Sequence, residues 1–292
     1  MSNGQWYPPE WPDRIRALAA GTLTAATPRR AATVMLLRDA PDASGGGLEV
    51  HMLRRRTSMA FAAGAYAYPG GGVDPRDDDR QVRWAGPSRQ WWAERLGVPE
   101  EEAQAIVCAA VRETFEEAGV LLAGPAPDSV VDDTTGARWQ ADRQALIARD
   151  LSFAEFLQRR GLVLRSDLLG AWARWITPEF EPRRYDTWFF AAALPAGQRT
   201  SDDSTEADRT VWIGPDRAAA AYDRGELTMM PPTIATLRTL SGHRTAHDAL
   251  AGAASRDLTP VLAQARLEAG EVVLSWPGHD EFTKHIPTGG SN

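Results

Sequence analysis

One stretch of the sequence restricts the fold more than any other: residues 99–119 predict a single helix with a crowded acidic face. A proline followed by three glutamates suits the positive end of a helix, and Gly119 is a typical helix terminator. Glu113, Glu116 and Glu117 stand at positions i, i+3 and i+4, so their carboxylates share one side. The opposite side is apolar and must pack against a core.

The acidic face of this helix needs a positive partner. Like charges three and four residues apart repel one another and destabilise a helix unless a cation lies among them. A hard divalent cation such as Mg²⁺ binds carboxylate oxygens of this kind. The three glutamates alone leave a second interpretation open, in which they form a solvated acidic surface.

The other segments alternate between strand and helix patterns. Strands are predicted at residues 31–38, 48–54, 65–68, 168–176, 185–193 and 210–213. Further helices are predicted at residues 14–20, 141–149, 153–159, 215–222 and 232–240. This order predicts an α/β fold in which a mixed sheet lies between layers of helices. We expect one domain over residues 31–240, with extensions at residues 1–30 and 241–292 and a disordered C-terminal end.

Composition excludes several classes of partner and site. The formal net charge is −7, so the chain has no basic field to hold a nucleic-acid backbone. Cys108 is the only cysteine, which excludes an internal disulfide or a cysteine-based zinc site and favours a reducing, cytoplasmic setting. We expect no membrane partner, because the sequence shows no signal-peptide pattern and no apolar run long enough for a span.

Residues 112–120 read Arg-Glu-Thr-Phe-Glu-Glu-Ala-Gly-Val. This string resembles the second half of the Nudix box, and Thr114 is its one departure, since an aliphatic residue is usual there. Upstream, Tyr68-Pro69-Gly70-Gly71 resembles the opening of the same box. Glycines at that point let backbone carbonyls approach a metal ion or phosphate closely. The resemblance implies a Nudix-type α/β/α sandwich with a mixed sheet and a metal-dependent hydrolase.

An insertion separates the two halves of the box. Six residues after Gly71 stands Asp77, an acid one carbon shorter than the usual glutamate. It precedes Arg112 by 35 positions, whereas the box pattern expects eight, so about 27 residues are inserted, roughly 78–104. The interruption leaves the role of Asp77 open.

Three tryptophans in the insertion, Trp84, Trp91 and Trp92, carry too much apolar surface to leave in water at no cost. The ends of the insertion adjoin the glycine turn and the acidic helix. The rings could therefore cover the site as a lid or contact a second subunit, which makes a homodimer a candidate assembly. The other interpretation is that they cover the core of their own domain.

A split box is similar to that of the Nudix branch that includes coenzyme A (CoA) and acyl-CoA diphosphatases. Segments 53–71 and 175–190, together with Glu206, resemble that branch. Its second lead-in arginine is missing, because Ala60 occupies that position. The resemblance therefore implies the family more strongly than the substrate.

The resemblance also implies roles for particular residues. Glu116 and Glu117, with a backbone carbonyl of Gly70 or Gly71, would hold Mg²⁺ or Mn²⁺. Glu113 would bind a second ion or accept the proton of the attacking water. These assignments place the metal between the acidic helix and the glycine turn.

Four further residues are candidates around that metal. Arg112 would pair with a carboxylate and fix its orientation, and Glu206 is a candidate late ligand or base. Arg55 or Arg56 would contact the substrate's phosphates. Neighbouring residues of a strand point to opposite faces, so only one of these two arginines should reach the pocket.

The implied reaction is metal-dependent hydrolysis of a pyrophosphate bond in a small molecule linked to a nucleoside diphosphate, with CoA or acyl-CoA as one substrate class. ADP-ribose, NADH and nucleotides are alternative substrates. Two other classes of protein stay open: a catalytically silent Nudix module that senses a ligand, and an unrelated α/β protein with a chance acidic helix.

Overall fold

The computed structural model describes residues 7–40, 46–58, 62–203, 207–268 and 271–287. Its helices are α1 Trp11–Ala19, α2 Arg89–Leu96, α3 Glu100–Ala118, α4 Ala137–Ile147, α5 Phe153–Arg160, α6 Pro215–Asp223, α7 Pro231–Leu240 and α8 Ala246–Gly252. Its strands are β1 Arg29–Asp39, β2 Leu48–Arg55, β3 Tyr66–Ala67, β4 Gly70–Gly72, β5 Trp84–Ala85, β6 Ala123–Gly124, β7 Val163–Arg165, β8 Leu169–Ile176, β9 Tyr185–Ala193, β10 Ala207–Ile213, β11 Val261–Leu262, β12 Gln264–Glu268, β13 Glu271–Ser275 and β14 Lys284–Pro287. Within these ranges, no helix is both long enough and apolar enough to cross a membrane.

The main sheet runs in the order β10-β2-β1-β9-β8-β11, with the short β3 and β4 paired to β2 and β1. It is mixed, because β1 is parallel to β9 and β8 to β11, whereas β2 is antiparallel to β1 and β10 and β8 is antiparallel to β9. Both faces are buried. One face packs with α2, α3, α4 and α5, and the other with α1, α6, α7 and α8. The predicted α/β/α sandwich with a mixed sheet is confirmed.

The long strands and α3 begin and end within a few residues of their predicted limits, whereas several short helices differ. The first helix begins three residues earlier than predicted, at Trp11, and α4 begins at Ala137 rather than at residue 141. Helices α2 and α8 were not predicted. Helix α2 is eight residues long, and the side chain of Ser88 caps it by accepting from the Trp91 N–H. Only Trp92 and Leu96 of this helix are buried, so its apolar side is too short to show a helical period.

Helix α3 lies across β1 and β4 and carries its apolar side into the core. Val111, Phe115 and Ala118 are fully buried. So is Thr114, whose hydroxyl donates to the carbonyl oxygen of Ala110 at 2.7 Å and is thereby satisfied without a polar partner outside the helix. The helix ends at Gly119, which takes a left-handed φ of 71°. This packing turns the acidic side of α3 away from the core.

The glycine strand β4 pairs antiparallel with the start of β1, with Gly70 opposite Thr33 and Gly72 opposite Ala31. A Cβ atom on Gly70 would lie 2.6 Å from the carbonyl oxygen of Ala32, which is backbone and cannot move aside cheaply. Glycine is therefore required at Gly70 for strand pairing, as well as for any chemistry at the site.

The insertion packs mainly on its own domain. Trp92 is 1% exposed and its ring meets Phe190 of β9 edge to face at 5.9 Å. Trp84 is half-buried and donates to the carbonyl oxygen of Pro87, whereas Trp91 is 45% exposed. None of the three lines the cleft that contains the acidic side of α3. The lid interpretation is therefore wrong for this structure, and a subunit contact through Trp91 stays a prediction.

The two ends of the chain pack on the sheet face opposite α3. The ring of Trp11 in α1 meets Phe180, from the loop between β8 and β9, at 5.1 Å. Trp276, which follows β13, is 4% exposed and belongs to the same buried cluster. Segments more than 250 residues apart in sequence therefore share one core.

Candidate active site

The acidic side of α3 surrounds a guanidinium group. Arg112 donates from Nη1 to Oε1 of Glu113 at 2.7 Å and to Oε1 of Glu116 at 3.2 Å. Both glutamate side chains are 13% exposed. Glu117 turns the other way and accepts the backbone N–H of Gly70 at 2.7 Å through Oε2. The three predicted carboxylates therefore share one side of the helix, as the sequence spacing requires.

Asp77 is the second anchor of Arg112. Its carboxylate accepts Nε and Nη2 of the arginine, each at 3.0 Å, in a two-point ion pair. The side chain of Asp77 is 1% exposed, and it also accepts the backbone N–H of Asp74 at 2.8 Å. Asp77, the acid that follows the glycine turn, is thus a positioning residue that fixes the orientation of the Arg112 side chain.

Arg112 also reaches the glycine strand, because its Nη2 donates to the carbonyl oxygen of Gly72 at 2.9 Å. Gly71 lies against the acidic helix. A Cβ atom at that position would stand 2.6 Å from Cδ and Oε1 of Glu113. Two glycines and one arginine therefore fix the spacing between β4 and α3, and the absence of a side chain at Gly71 lets a carboxylate approach the backbone.

Burial raises the pKa of two of these carboxyls. The pKa of Glu113 is raised to about 7, chiefly by burial, and the charge of Glu116 adds to the shift while Arg112 opposes it. The pKa of Glu116 is also raised, again chiefly by burial. The attraction of Arg112 thus does not fully offset the cost of burying these two carboxylates.

The donor set fits a divalent cation by its chemistry, since hard ions of this class prefer carboxylate and carbonyl oxygens. In this conformation Glu113 and Glu116 turn to Arg112 and Glu117 turns to Gly70. Accordingly, in the described part of the chain no three acidic, histidine or cysteine side chains converge on one point. Binding an ion between them would require a rotation of side chains at the surface of the cleft.

A cleft of about 660 Å³ opens in front of these residues. Gly70, Gly71 and the side chains of Arg112, Glu113, Glu116 and Glu117 line it. Arg55 lines it as well, but Arg56 does not and instead donates from Nε to the carbonyl oxygen of Ala207 at 3.3 Å. Only one of the two lead-in arginines reaches the cleft, as strand alternation predicts. Glu206 and Ala60 lie outside the described residues.

Three further arginines contribute to this region. Arg149 and Arg183 line the cleft and are exposed. Arg143 is fully buried behind α3, where Nε donates to the carbonyl oxygen of Glu116 at 2.8 Å and Nη2 to that of Asp203 at 2.7 Å. It satisfies carbonyls at the end of the helix and holds the chain just before Glu206. No local pattern could have identified it, because its partners are distant in sequence.

Replacing Gly71 by alanine should separate fold from activity. The new methyl would overlap the movable end of Glu113, so the fold should tolerate it while the carboxylate is displaced. A misplacement of about 1 Å costs about a hundredfold in turnover, and we expect a loss of that size in kcat. Gly72→Ala is the matched control, since the nearest atom to its Cβ would be 4.0 Å away. Equal activity of the two variants would contradict the close approach.

Comparison with known proteins agrees with this geometry. The family model described as the NUDT19 Nudix domain matches residues 89–240, more than half of the chain. The acyl-coenzyme A diphosphatase NUDT19 of Gallus gallus is 28% identical over 265 residues, which cover 75% of this chain and 70% of that protein. Its counterpart in Homo sapiens is 26% identical over 275 residues, covering 81% and 71%.

A solved structure supports the same assignment. The crystal structure of a Nudix hydrolase from Alicyclobacillus acidocaldarius superposes with a TM-score of 0.63 at 27% identity, covering 80% of this chain and 99% of that one. Nudix hydrolases generally use divalent metals, which agrees with the carboxylate-rich cleft. The chain belongs to the NUDT19 Nudix domain family and is a Nudix pyrophosphohydrolase.

Proposed function

We propose that this enzyme hydrolyses the pyrophosphate bond of CoA and acyl-CoA. The observation that carries the proposal is that one cleft brings together the acidic side of α3, the glycine strand β4 and the guanidinium groups of Arg55, Arg149 and Arg183. Anionic oxygens of a diphosphate need both a cation and hydrogen-bond donors. The names of the relatives from Gallus gallus and Homo sapiens support acyl-CoA as the substrate class.

Mg²⁺ or Mn²⁺ is the proposed cofactor, with Glu116, Glu117 and the backbone carbonyl of Gly71 as its ligands. When bound, such an ion polarises the phosphate oxygens and lowers the pKa of bound water. The hydrogen bond from Gly70 to Glu117 orients one ligand, and Arg112 orients another. These contacts fix the side chains in the present conformation, and the carboxylates would rotate away from part of them to bind an ion.

Glu113 is the proposed base. A pKa of about 7 suits a group that accepts a proton near neutral pH. The water oxygen forms a bond to one phosphorus atom, the bond from that phosphorus to the bridging oxygen breaks, and the water proton passes to an Oε atom of Glu113. Arg112 does not touch the substrate in this scheme and serves as a positioning residue. Glu206 is proposed as a further ligand or base.

Three of the arginines that line the cleft, Arg55, Arg149 and Arg183, are proposed to bind the substrate's phosphates. Arg55 extends from the end of β2, and Arg149 and Arg183 follow α4 and precede β9. Their three guanidinium groups come from three separate elements, which suits a ligand with several phosphates rather than a single one. CoA carries a 3′-phosphate in addition to its diphosphate.

A substrate panel tests the proposal. Purified enzyme with Mg²⁺ or Mn²⁺ would be given CoA, acyl-CoA, ADP-ribose, NADH and nucleoside triphosphates, with products identified by mass spectrometry. We expect adenosine 3′,5′-bisphosphate and phosphopantetheine or its acyl derivative from the first two. Rapid turnover of ADP-ribose, NADH or nucleotides without CoA products would favour those alternatives, and no turnover of any substrate would favour a ligand-sensing module.

A further inference from the structure

The cleft has a second wall that the chemistry described above does not use. Three indoles line it, Trp11, Trp175 and Trp276, and the rings of Tyr185 and Phe189 lie beside them. We call these five residues the aromatic wall. The three indoles are 8%, 4% and 4% exposed, so each is held firmly by the core while part of its surface faces the cleft.

Strand register fixes where this wall lies relative to the glycine strand. Gly72 pairs with Ala31, Ala31 with Thr187 and Thr187 with Trp175, so these residues form one row across β4, β1, β9 and β8. Paired residues project to the same face of a sheet, and three strand spacings amount to about 14 Å. Phe189 pairs with Thr33, which pairs with Gly70, so the aromatic wall begins two strand spacings from the glycine strand and reaches Trp175 at the third.

The row also shows how one ligand can reach both parts of the cleft. Helix α3 packs on the face that carries Ala32, whereas Ala31 and Trp175 project to the opposite face. Strand β4 is the first strand of this row, beside the acidic helix, and its three residues are glycines. An edge without side chains lets a flexible chain pass from one face to the other without obstruction.

The wall presents apolar surface to the cleft. The Nε1 of Trp11 is already satisfied, because it donates to Oε1 of Glu181 at 2.7 Å. Met230, Pro231 and Pro232 line the cleft beside these rings and add aliphatic surface. A wall of this composition stabilises an apolar ligand group by burial and offers a purine few hydrogen-bond partners.

We propose that the aromatic wall is an acyl-chain subsite, which binds the apolar tail of an acyl-CoA thioester while its diphosphate lies at α3. This inference rests on the proposed function. The pantetheine arm with its thioester extends further from the diphosphate than the adenosine does, which suits the row length of about 14 Å. Two of the three indoles, Trp11 and Trp276, lie outside the matched residues 89–240, so the match to the family model does not include them.

The test measures kcat/KM for free CoA and for acetyl-, octanoyl- and palmitoyl-CoA with wild type, Trp11→Ala and Trp276→Ala. Wild type should prefer the longer chains. Each variant should lose about tenfold on palmitoyl-CoA, the effect of losing a few buried methylene contacts, and stay within about twofold on free CoA. Trp91→Ala is the control, because this exposed indole on α2 does not line the cleft.

Three results would overturn the subsite. The first is equal kcat/KM of the wild type for all chain lengths. The second is that Trp11→Ala and Trp276→Ala have the same kcat/KM as Trp91→Ala. The third is an equal loss of kcat/KM on free CoA and palmitoyl-CoA, which would mean that the wall binds a part common to all substrates. If no CoA compound is hydrolysed at all, the proposed function itself fails. A measurement on wild type needs no substitution: a fluorophore at the end of an acyl-CoA chain should shift to apolar emission on binding, and water-like emission would contradict the proposal.

Discussion

Glutamine in place of Glu116 or Glu117 is expected to reduce kcat by about a thousandfold, because several kcal/mol of charge stabilisation at the phosphates depend on the bound cation. The fold should stay intact. Burial raises the pKa of Glu116, so at neutral pH its ionised form is a cost to the folded, metal-free protein. That cost is absent at low pH and grows as the pH rises. Glu116→Gln removes this cost, so it should raise the melting temperature of the metal-free protein, measured at pH 8 in the presence of a chelator.

Glu100→Gln is the matched control for this prediction. It makes the same chemical change on the same helix, but at an exposed position in the first turn. Its kcat should equal that of wild type. Wild-type turnover from both Glu116→Gln and Glu117→Gln at saturating Mg²⁺ would remove these residues from the metal centre.

The second large effect is expected at Asp77. Asp77→Ala would leave Arg112 buried without its two-point partner, and breaking a buried ion pair in this way typically costs about 3–5 kcal/mol in the free energy of unfolding. Activity should fall as well, because Arg112 would turn further toward Glu113 and Glu116. Urea denaturation followed by circular dichroism measures this loss in the free energy of unfolding.

Asp78→Ala provides the comparison. It removes the neighbouring carboxylate, which is exposed, and surface changes of this kind usually stay within about 0.5 kcal/mol. If Asp77→Ala and Asp78→Ala lowered the free energy of unfolding by the same small amount, the ion pair would not be holding the site together.

The sequence predicted what depends on local pattern. The limits of β1, β8 and β9 follow from apolar runs, and α3 follows from its acidic first turn, its apolar side and Gly119. The glutamate spacing placed three carboxylates together because a helix has a fixed period. These features need no knowledge of the rest of the chain.

Long-range contacts could not be predicted in the same way. The spacing from Gly71 pointed to Asp77, but its role stayed open because its partner, Arg112, is 35 positions away across an insertion. The tryptophans of the insertion suggested a lid over the site. Two of the three indoles that line the cleft, Trp11 and Trp276, instead come from segments near the ends of the chain. Composition shows that aromatic residues are abundant but not which of them meet.

The acidic side of α3 is the proposed metal centre of this pyrophosphohydrolase, and a direct binding measurement tests this assignment without relying on turnover. Mn²⁺ would be titrated into wild type and into the triple variant Glu113→Gln, Glu116→Gln, Glu117→Gln, with the free ion followed by electron paramagnetic resonance. We expect wild type to bind Mn²⁺ and the folded triple variant to lose that binding. Equal binding by the two proteins would contradict the account.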